Sequence, residues 1–233
     1  TSLQKPPSDP TGEYSLPWQS GIAGIAYNQA VTGRELTTLD DLWDPAYNGK
    51  IGVLTEMRDT IGLIAMSLGI DLDKPNDQDF DPAFAKLEEE VQNGQIRQFT
   101  GNDYIADLES GSFAACIGWS GDILGLNNPD LKFVVPESGG TLWFDTMVIP
   151  KGASDVDAVG EWMNFVYDPV NAARITAGAP YISPVQGVQE ELRKMGGDAA
   201  ALADNQLLFP DASTLSLLQS WGVLSEEKEQ EFD

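Results

Sequence analysis

Apolar residues come along this chain in two rhythms, short near-continuous runs and longer stretches spaced for one face of a helix. Gly21-Ile22-Ala23-Gly24-Ile25-Ala26-Tyr27-Asn28 is of the first kind and predicts a buried strand, its small residues permitting close backbone approach. Thr38 or Asp40 predicts the cap of a short helix ending near Pro45, Lys50 to Thr55 the next strand, and Asp59 through Leu68 the helix after it. Phe80, Phe84, Leu87 and Val91 recur at i, i+4, i+7 and i+11, predicting a helix over 77–94 with Glu88-Glu89-Glu90 on its solvated side. Gln95 to Phe99 predicts a short strand, and Asn102 the cap of a helix from Tyr104 to Glu109. Phe113 to Ile117 predicts a buried strand that delivers Trp119 to its end, and Ser120-Gly121-Asp122 opens another helix. Beyond residue 150 the pattern turns helical, at Asp155 to Val166 and Val170 to Gly178. A loop, Ala179-Pro180-Tyr181-Ile182-Ser183-Pro184, follows, and the tail from about Ser213 to Phe232 is helical again. Residues 1 to 12, rich in Pro, Ser and Lys, predict a flexible leader, with order from Tyr14. Strand alternating with helix predicts an α/β sheet, whose ligands sit beyond the carboxyl ends of strands, where Trp119 would lie.

One run breaks the apolar pattern in a way that suggests chemistry. In Thr141-Leu142-Trp143-Phe144-Asp145-Thr146-Met147-Val148-Ile149-Pro150 the two-residue alternation of a strand sends Trp143 and Asp145 to one face. Desolvating a carboxylate costs several kcal/mol or more unless a positive group meets it, so an indole beside an acid suits an organic ammonium ion, with an internal partner as the alternative.

Composition narrows the function classes. With 13 basic and 37 acidic residues the formal charge is −24, a field that favours cations and excludes nucleic acid as a partner, while also serving solubility or salt adaptation. The chain has no His, which removes Ser-His-Asp and Cys-His catalysis and leaves few ligands for zinc or copper; no cofactor or metal is expected. Its single Cys, Cys116, lies in the apolar run Phe113-Ala114-Ala115-Cys116-Ile117 and predicts a buried structural thiol. No apolar stretch has the length of a membrane span, and the first residues lack the apolar core of a signal peptide, so any export signal is expected to be absent from this chain.

Several stretches together resemble the spermidine/putrescine-binding proteins of ABC importers, in the order seen in that family: Tyr14-Ser15-Leu16-Pro17-Trp18, Gly49-Lys50-Ile51, Leu54-Thr55-Glu56-Met57-Arg58-Asp59, Trp119-Ser120-Gly121, Trp143-Phe144-Asp145 and Ile149-Pro150. The resemblance implies a periplasmic-binding-protein-like α/β fold, with two interleaved lobes closing on a ligand and no chemical reaction. One lobe would comprise residues 1–33 and 143–200, the other 34–142 and 201–233, with the Trp143 strand as a hinge crossing. Family members carry a further strand-helix portion before the Tyr14 motif, so the first lobe is expected to be incomplete here. It also implies an extracytoplasmic setting, permease subunits as partners, and membrane association only through them or a lipid anchor outside this chain.

The resemblance further assigns ligand contacts. Trp18, just before a Gly-rich turn at Gly21, would flank the ligand; Glu56 and Asp59 would receive one ammonium group; Trp119 and Trp143 would sandwich the aliphatic chain; Asp145 would meet an amine. Tyr181, in a loop like the family's Tyr-x-Thr-Pro, would hydrogen-bond an amine, and Gln219 is a weaker match to a C-terminal contact. Each has a plainer reading: a core tryptophan, a surface glutamine, or acids that offset a helix macrodipole by about 0.3–1 kcal/mol. Asp122, near Trp119, is a capping residue or a substitute contact. Three alternatives stay open: the same fold holding a zwitterion such as γ-aminobutyrate through Arg58, a hydrolase using Asp59 and Asp145, or a structural adaptor.

Overall fold

The computed structural model describes residues 9–126 and 128–232, and the chain divides into two compact units. The larger holds Ile22–Leu142 and Leu215–Asp233; the smaller holds the residues up to Gly21 together with Trp143–Thr214. The chain therefore passes between units three times, inside strands after Gly21 and after Leu142 and within the short helix Ala212–Leu215 after Thr214.

The sheet comprises β1 (Leu16–Asn28), β2 (Ile51–Leu54), β3 (Ile96–Thr100), β4 (Ala115–Trp119), β5 (Leu131–Val134), β6 (Gly140–Met147) and β7 (Leu218–Gln219), all within the larger unit except β1 up to Gly21 and β6 from Trp143. Their order is β3-β2-β4-β1-β6-β7, with β5 also pairing β1. β2 runs parallel to β3 and β4, and β1 runs antiparallel to β4 and β5. Both faces are covered, which is why β2 and β4 are apolar throughout instead of alternating. The helix Met57–Ser67, fed directly by β2, is buried continuously from Asp59 to Met66. Phe80, Tyr104 and Phe113 are all within 1% of full burial, the Phe113 ring lying over Gly52 of β2 and the Tyr104 ring over Gly118 of β4.

The smaller unit has no sheet of its own size. An isolated antiparallel bridge joins Ser20 to Ile182, and a helical cluster of Ala172, Ala173, Val188, Leu192 and Ala203 forms its core. Asp155 and Asp168 cap its helices Val156–Val166 and Pro169–Gly178 through their side chains. The first of these helices leaves Val156, Trp162 and Phe165 exposed.

Several expectations need correction. Of the leader, residues 1–8 lie outside the described part, but order begins before Tyr14: the buried Asp9 carboxylate accepts from the backbone N–H of Gly12, Glu13, Tyr14 and Ser15. Those bonds, Tyr14's first, hold its pKa well below the usual carboxylate range. The short helix expected before Pro45 is present with Thr38 as its N-cap, but it is of 3₁₀ type, Leu39–Trp43, and a second 3₁₀ turn, Pro45–Tyr47, follows it. The predicted 77–94 helix starts at Asp81, and its inward residue near the end is Glu90, not Val91. Lys86, one turn earlier, supplies the ion pair that permits this burial. Asn102 does not cap the helix Tyr104–Ser110; its amide bonds Asp122 instead. Gly21 lies within β1, not in a turn. The tail is helical only at Ala212–Leu215 and Glu226–Phe232, because β6 captures Leu218 and Gln219 as a parallel strand. β5 and the helices Val188–Met195 and Gly197–Leu202 were not anticipated by the apolar pattern.

Candidate functional site

In the larger unit the candidate residues gather around the start of the helix Met57–Ser67 and the end of β4. Trp119, the last residue of β4, is half-buried, and its indole Nε1–H donates to Asp59 Oδ2 at 2.8 Å. The other oxygen, Asp59 Oδ1, accepts from the Thr141 hydroxyl at 2.6 Å. Asp59 is 7% exposed, so desolvation raises its pKa, the bonds from Thr141 and Trp119 pull it back down, and the charge of Glu56 raises it again. Both donors to this buried acid are neutral, and the charge that acts on it is of its own sign.

Glu56 stands at the N-cap of the same helix, is exposed, and makes no side-chain capping bond. Helix-start chemistry thus leaves its carboxylate unengaged by the cap. The pair named from sequence divides its work: Asp59 orients an indole from below, while Glu56 faces solvent.

Gln219 lies in β7, and its side-chain oxygen accepts from the Leu72 N–H at 2.9 Å. Arg58 engages the Glu229 carboxylate through one guanidinium nitrogen, Nη2, which reaches both oxygens, the second at 2.6 Å. Asp122 Oδ2 accepts from the Tyr104 hydroxyl at 2.7 Å and from Asn102 at 2.9 Å. Neither Thr141 nor Tyr104 was singled out from sequence. Thr141 could have been found by extending the Trp143–Asp145 alternation two residues back; Tyr104, lying 15 residues before Trp119, left no such trace.

The smaller unit carries the remaining candidates. Trp143 and Tyr181 meet edge to face with centroids 5.2 Å apart. Gly21 makes this packing available, since a Cβ there would come within 2.2 Å of the Trp143 ring and 2.8 Å of the Tyr181 ring. Ser20 Oγ donates to the Trp143 carbonyl, tying the two strand segments together. The Trp143 Nε1 is buried and, among the described residues, has no hydrogen-bond partner. Asp145, two residues on, is exposed as a residue, yet enough water is excluded from its carboxyl for desolvation to raise its pKa.

Trp18 does not join the Trp143–Tyr181 pair: it stacks on Trp162, centroids 5.7 Å apart and planes within 25°. Beside it lies a cavity of about 10 Å³ lined by residues including Tyr167 and Thr176, room for a water but not for an organic ligand. Among the described residues no helix has the length and apolarity to cross a membrane, and no cluster of metal-ligating side chains occurs.

Together these features define a two-unit α/β protein of the periplasmic-binding-protein-like class. The fold matches that of the substrate-binding protein PotD from Streptococcus pneumoniae, with a TM-score of 0.77 over 99% of this chain and 71% of that one at 23% identity. It also matches a Listeria monocytogenes ABC transporter protein, with a TM-score of 0.83 over 95% and 67% at 27% identity. The chain belongs to the family of bacterial extracellular solute-binding proteins, whose model matches residues 2–212. A spermidine/putrescine-binding periplasmic protein of Salmonella typhimurium is 24% identical over 213 residues, 90% of this chain and 59% of that protein. The putrescine-binding periplasmic protein SpuD of Pseudomonas aeruginosa is 27% identical over 72% of this chain and 51% of its own length. This chain thus spans just over half of the length of these relatives.

Proposed function

We propose that this chain acts outside the cytoplasm as the solute-binding component of an ABC importer, and that its ligand is a linear amine of the spermidine/putrescine type. The observation that carries this reading is the cluster of the larger unit, where a buried acid bonded by neutral donors orients a half-exposed tryptophan and an exposed acid stands at the same helix start. Among the described residues no cation is bonded to Asp59, and an ammonium group would supply one. Methylenes of the ligand would lie on an indole face, gaining about 0.8 kcal/mol each, and the ammonium would add about 0.5–2 kcal/mol against the ring. Trp143 and Tyr181, with Asp145 two residues on from Trp143, offer a second aromatic and acidic set of the same chemical taste, and polyamine binding is what the names of several relatives state.

The zwitterion reading is weakened, because one nitrogen of the Arg58 guanidinium already holds Glu229. The hydrolase reading is weakened too: both oxygens of Asp59 accept from fixed donors, a posture that suits orientation better than attack. The function is therefore capture and release, with permease subunits as the partners that receive the ligand.

Thermal melting in the presence of spermidine, putrescine and γ-aminobutyrate tests the proposal, since a ligand that binds the folded state alone raises Tm. Spermidine or putrescine should raise it, and Asp145→Ala should reduce the rise. A rise with γ-aminobutyrate alone would replace the ligand class, and no rise with any of the three would remove the proposal.

A further inference from the structure

Trp119 occupies a place where the sheet stops satisfying its own backbone. The parallel register between β2 and β4 ends at Gly52 and Cys116, so three residues later the Trp119 N–H has no β2 carbonyl to meet. A shielded N–H must find an acceptor elsewhere. It finds the Tyr104 hydroxyl at 2.9 Å, and that hydroxyl donates in turn to Asp122 Oδ2 at 2.7 Å. Asn102 steadies the same carboxylate oxygen from 2.9 Å.

Tyr104 is fully buried and its ring meets that of Trp119 at 62°, centroids 6.3 Å apart. Gly118 is what lets it come so near, because a Cβ there would lie 2.9 Å from the tyrosine Cζ. Packing alone would accept a phenylalanine. The hydroxyl is the part that packing does not explain, and it sits between the one backbone donor of Trp119 and a carboxylate.

We infer that Tyr104 and Asp122 are a positioning pair for Trp119, fixing the backbone end of the residue whose ring end is fixed by Asp59. The relay is directional: a carboxylate accepting from the phenol orients its lone pair toward the Trp119 N–H and strengthens that bond. With Asp59 on Nε1 and Tyr104 on the main-chain nitrogen, the indole plane is held before any ligand arrives, which removes an ordering cost from binding. The link to affinity rests on the reading of Trp119 as a ligand contact; the link to Trp119 orientation does not.

The test uses the protein labelled with 5-fluorotryptophan, the Trp119 fluorine resonance being assigned by its disappearance in Trp119→Phe. In Tyr104→Phe the Trp119 resonance should shift and broaden while those of Trp18, Trp143 and Trp162 stay in place, and spermidine affinity by calorimetry should fall about tenfold. Asp122→Ala, which leaves the tyrosine ring untouched, should move the same resonance in the same direction and covers the case in which Tyr104→Phe fails to fold. A Trp119 resonance unmoved in folded Tyr104→Phe or Asp122→Ala would overturn the inference. If the resonance moves but the wild-type protein gives no heat with spermidine, the positioning pair stands and the ligand assignment falls.

Discussion

The two units hold their principal tryptophans by different physics. Trp119, in the larger unit, has both of its N–H groups bonded, one to Asp59 and one to Tyr104, so its orientation is set by directional bonds to groups that are themselves anchored. Trp143, in the smaller unit, has its carbonyl bonded by Ser20 Oγ, but its buried Nε1 has no partner among the described residues and its ring is held by shape, lying over the bare backbone of Gly21 against the edge of Tyr181. A clamp made of hydrogen bonds is sensitive to single atoms removed; a seat made of excluded volume is sensitive to single atoms added. A related contrast runs through the cores, since the larger unit buries Phe80, Tyr104 and Phe113 almost completely and the smaller leaves Trp162 and Phe165 exposed around a core of alanines with Val188 and Leu192.

The largest expected effect breaks the contrast at the level of the cores. Phe113→Ala removes a fully buried ring and should cost about 3–5 kcal/mol, whereas Phe165→Ala in the smaller unit should stay within about 0.5 kcal/mol. Urea unfolding of the two variants compares them directly. Next comes the seat: Gly21→Ala places a methyl into the Trp143 ring and should cost about 1–3 kcal/mol, with a changed near-ultraviolet circular dichroism spectrum. An unchanged spectrum and stability would show that Trp143 is not held by volume.

The clamp is sharpened by pH. Asp59 has a folded pKa above its ordinary value, so the folded state binds its proton more tightly than the unfolded chain does. Its favourable contribution is therefore complete below the unfolded value of about 4 and is lost as pH rises through the folded value. Asp59→Asn, whose amide can accept from Trp119 and donate to Thr141, should flatten the stability profile over that window. Profiles of identical slope in the two proteins would mean that the burial of this acid has no energetic consequence. The smallest effect is expected at Arg58→Ala: its pair with Glu229 is about half exposed at both ends, so the loss should be at most about 1 kcal/mol, with amine affinity unchanged in calorimetry.

Much of the alternation of strand and helix was written in the apolar pattern, because β2, β4 and the helix Met57–Ser67 are buried on every side and their composition says so. Where burial was shared between apolar and polar groups the pattern misled: Glu90 turns inward on an ion pair and Val91 outward, which a rule based on hydrophobicity alone reverses. β7 was invisible because two residues captured by a neighbouring strand have no periodicity to show. At the site, residue types that pair an acid with an aromatic could be named from sequence, but their roles could not. Whether Asp59 faces solvent or accepts from Trp119 depends on Thr141, which lies 82 residues away in the chain. The stacking of Trp18 on Trp162 likewise joins positions that no short-range pattern connects.

Calorimetric titration of spermidine into the wild-type chain and into Glu56→Gln tests the proposal that Glu56, exposed at the start of the helix that carries Asp59, receives an ammonium group. A charge-assisted hydrogen bond contributes about 1.5–3 kcal/mol, so measurable heat is expected with the wild-type chain and affinity more than about tenfold weaker in Glu56→Gln. Equal affinity in the two proteins, or no heat in the wild type, would contradict it.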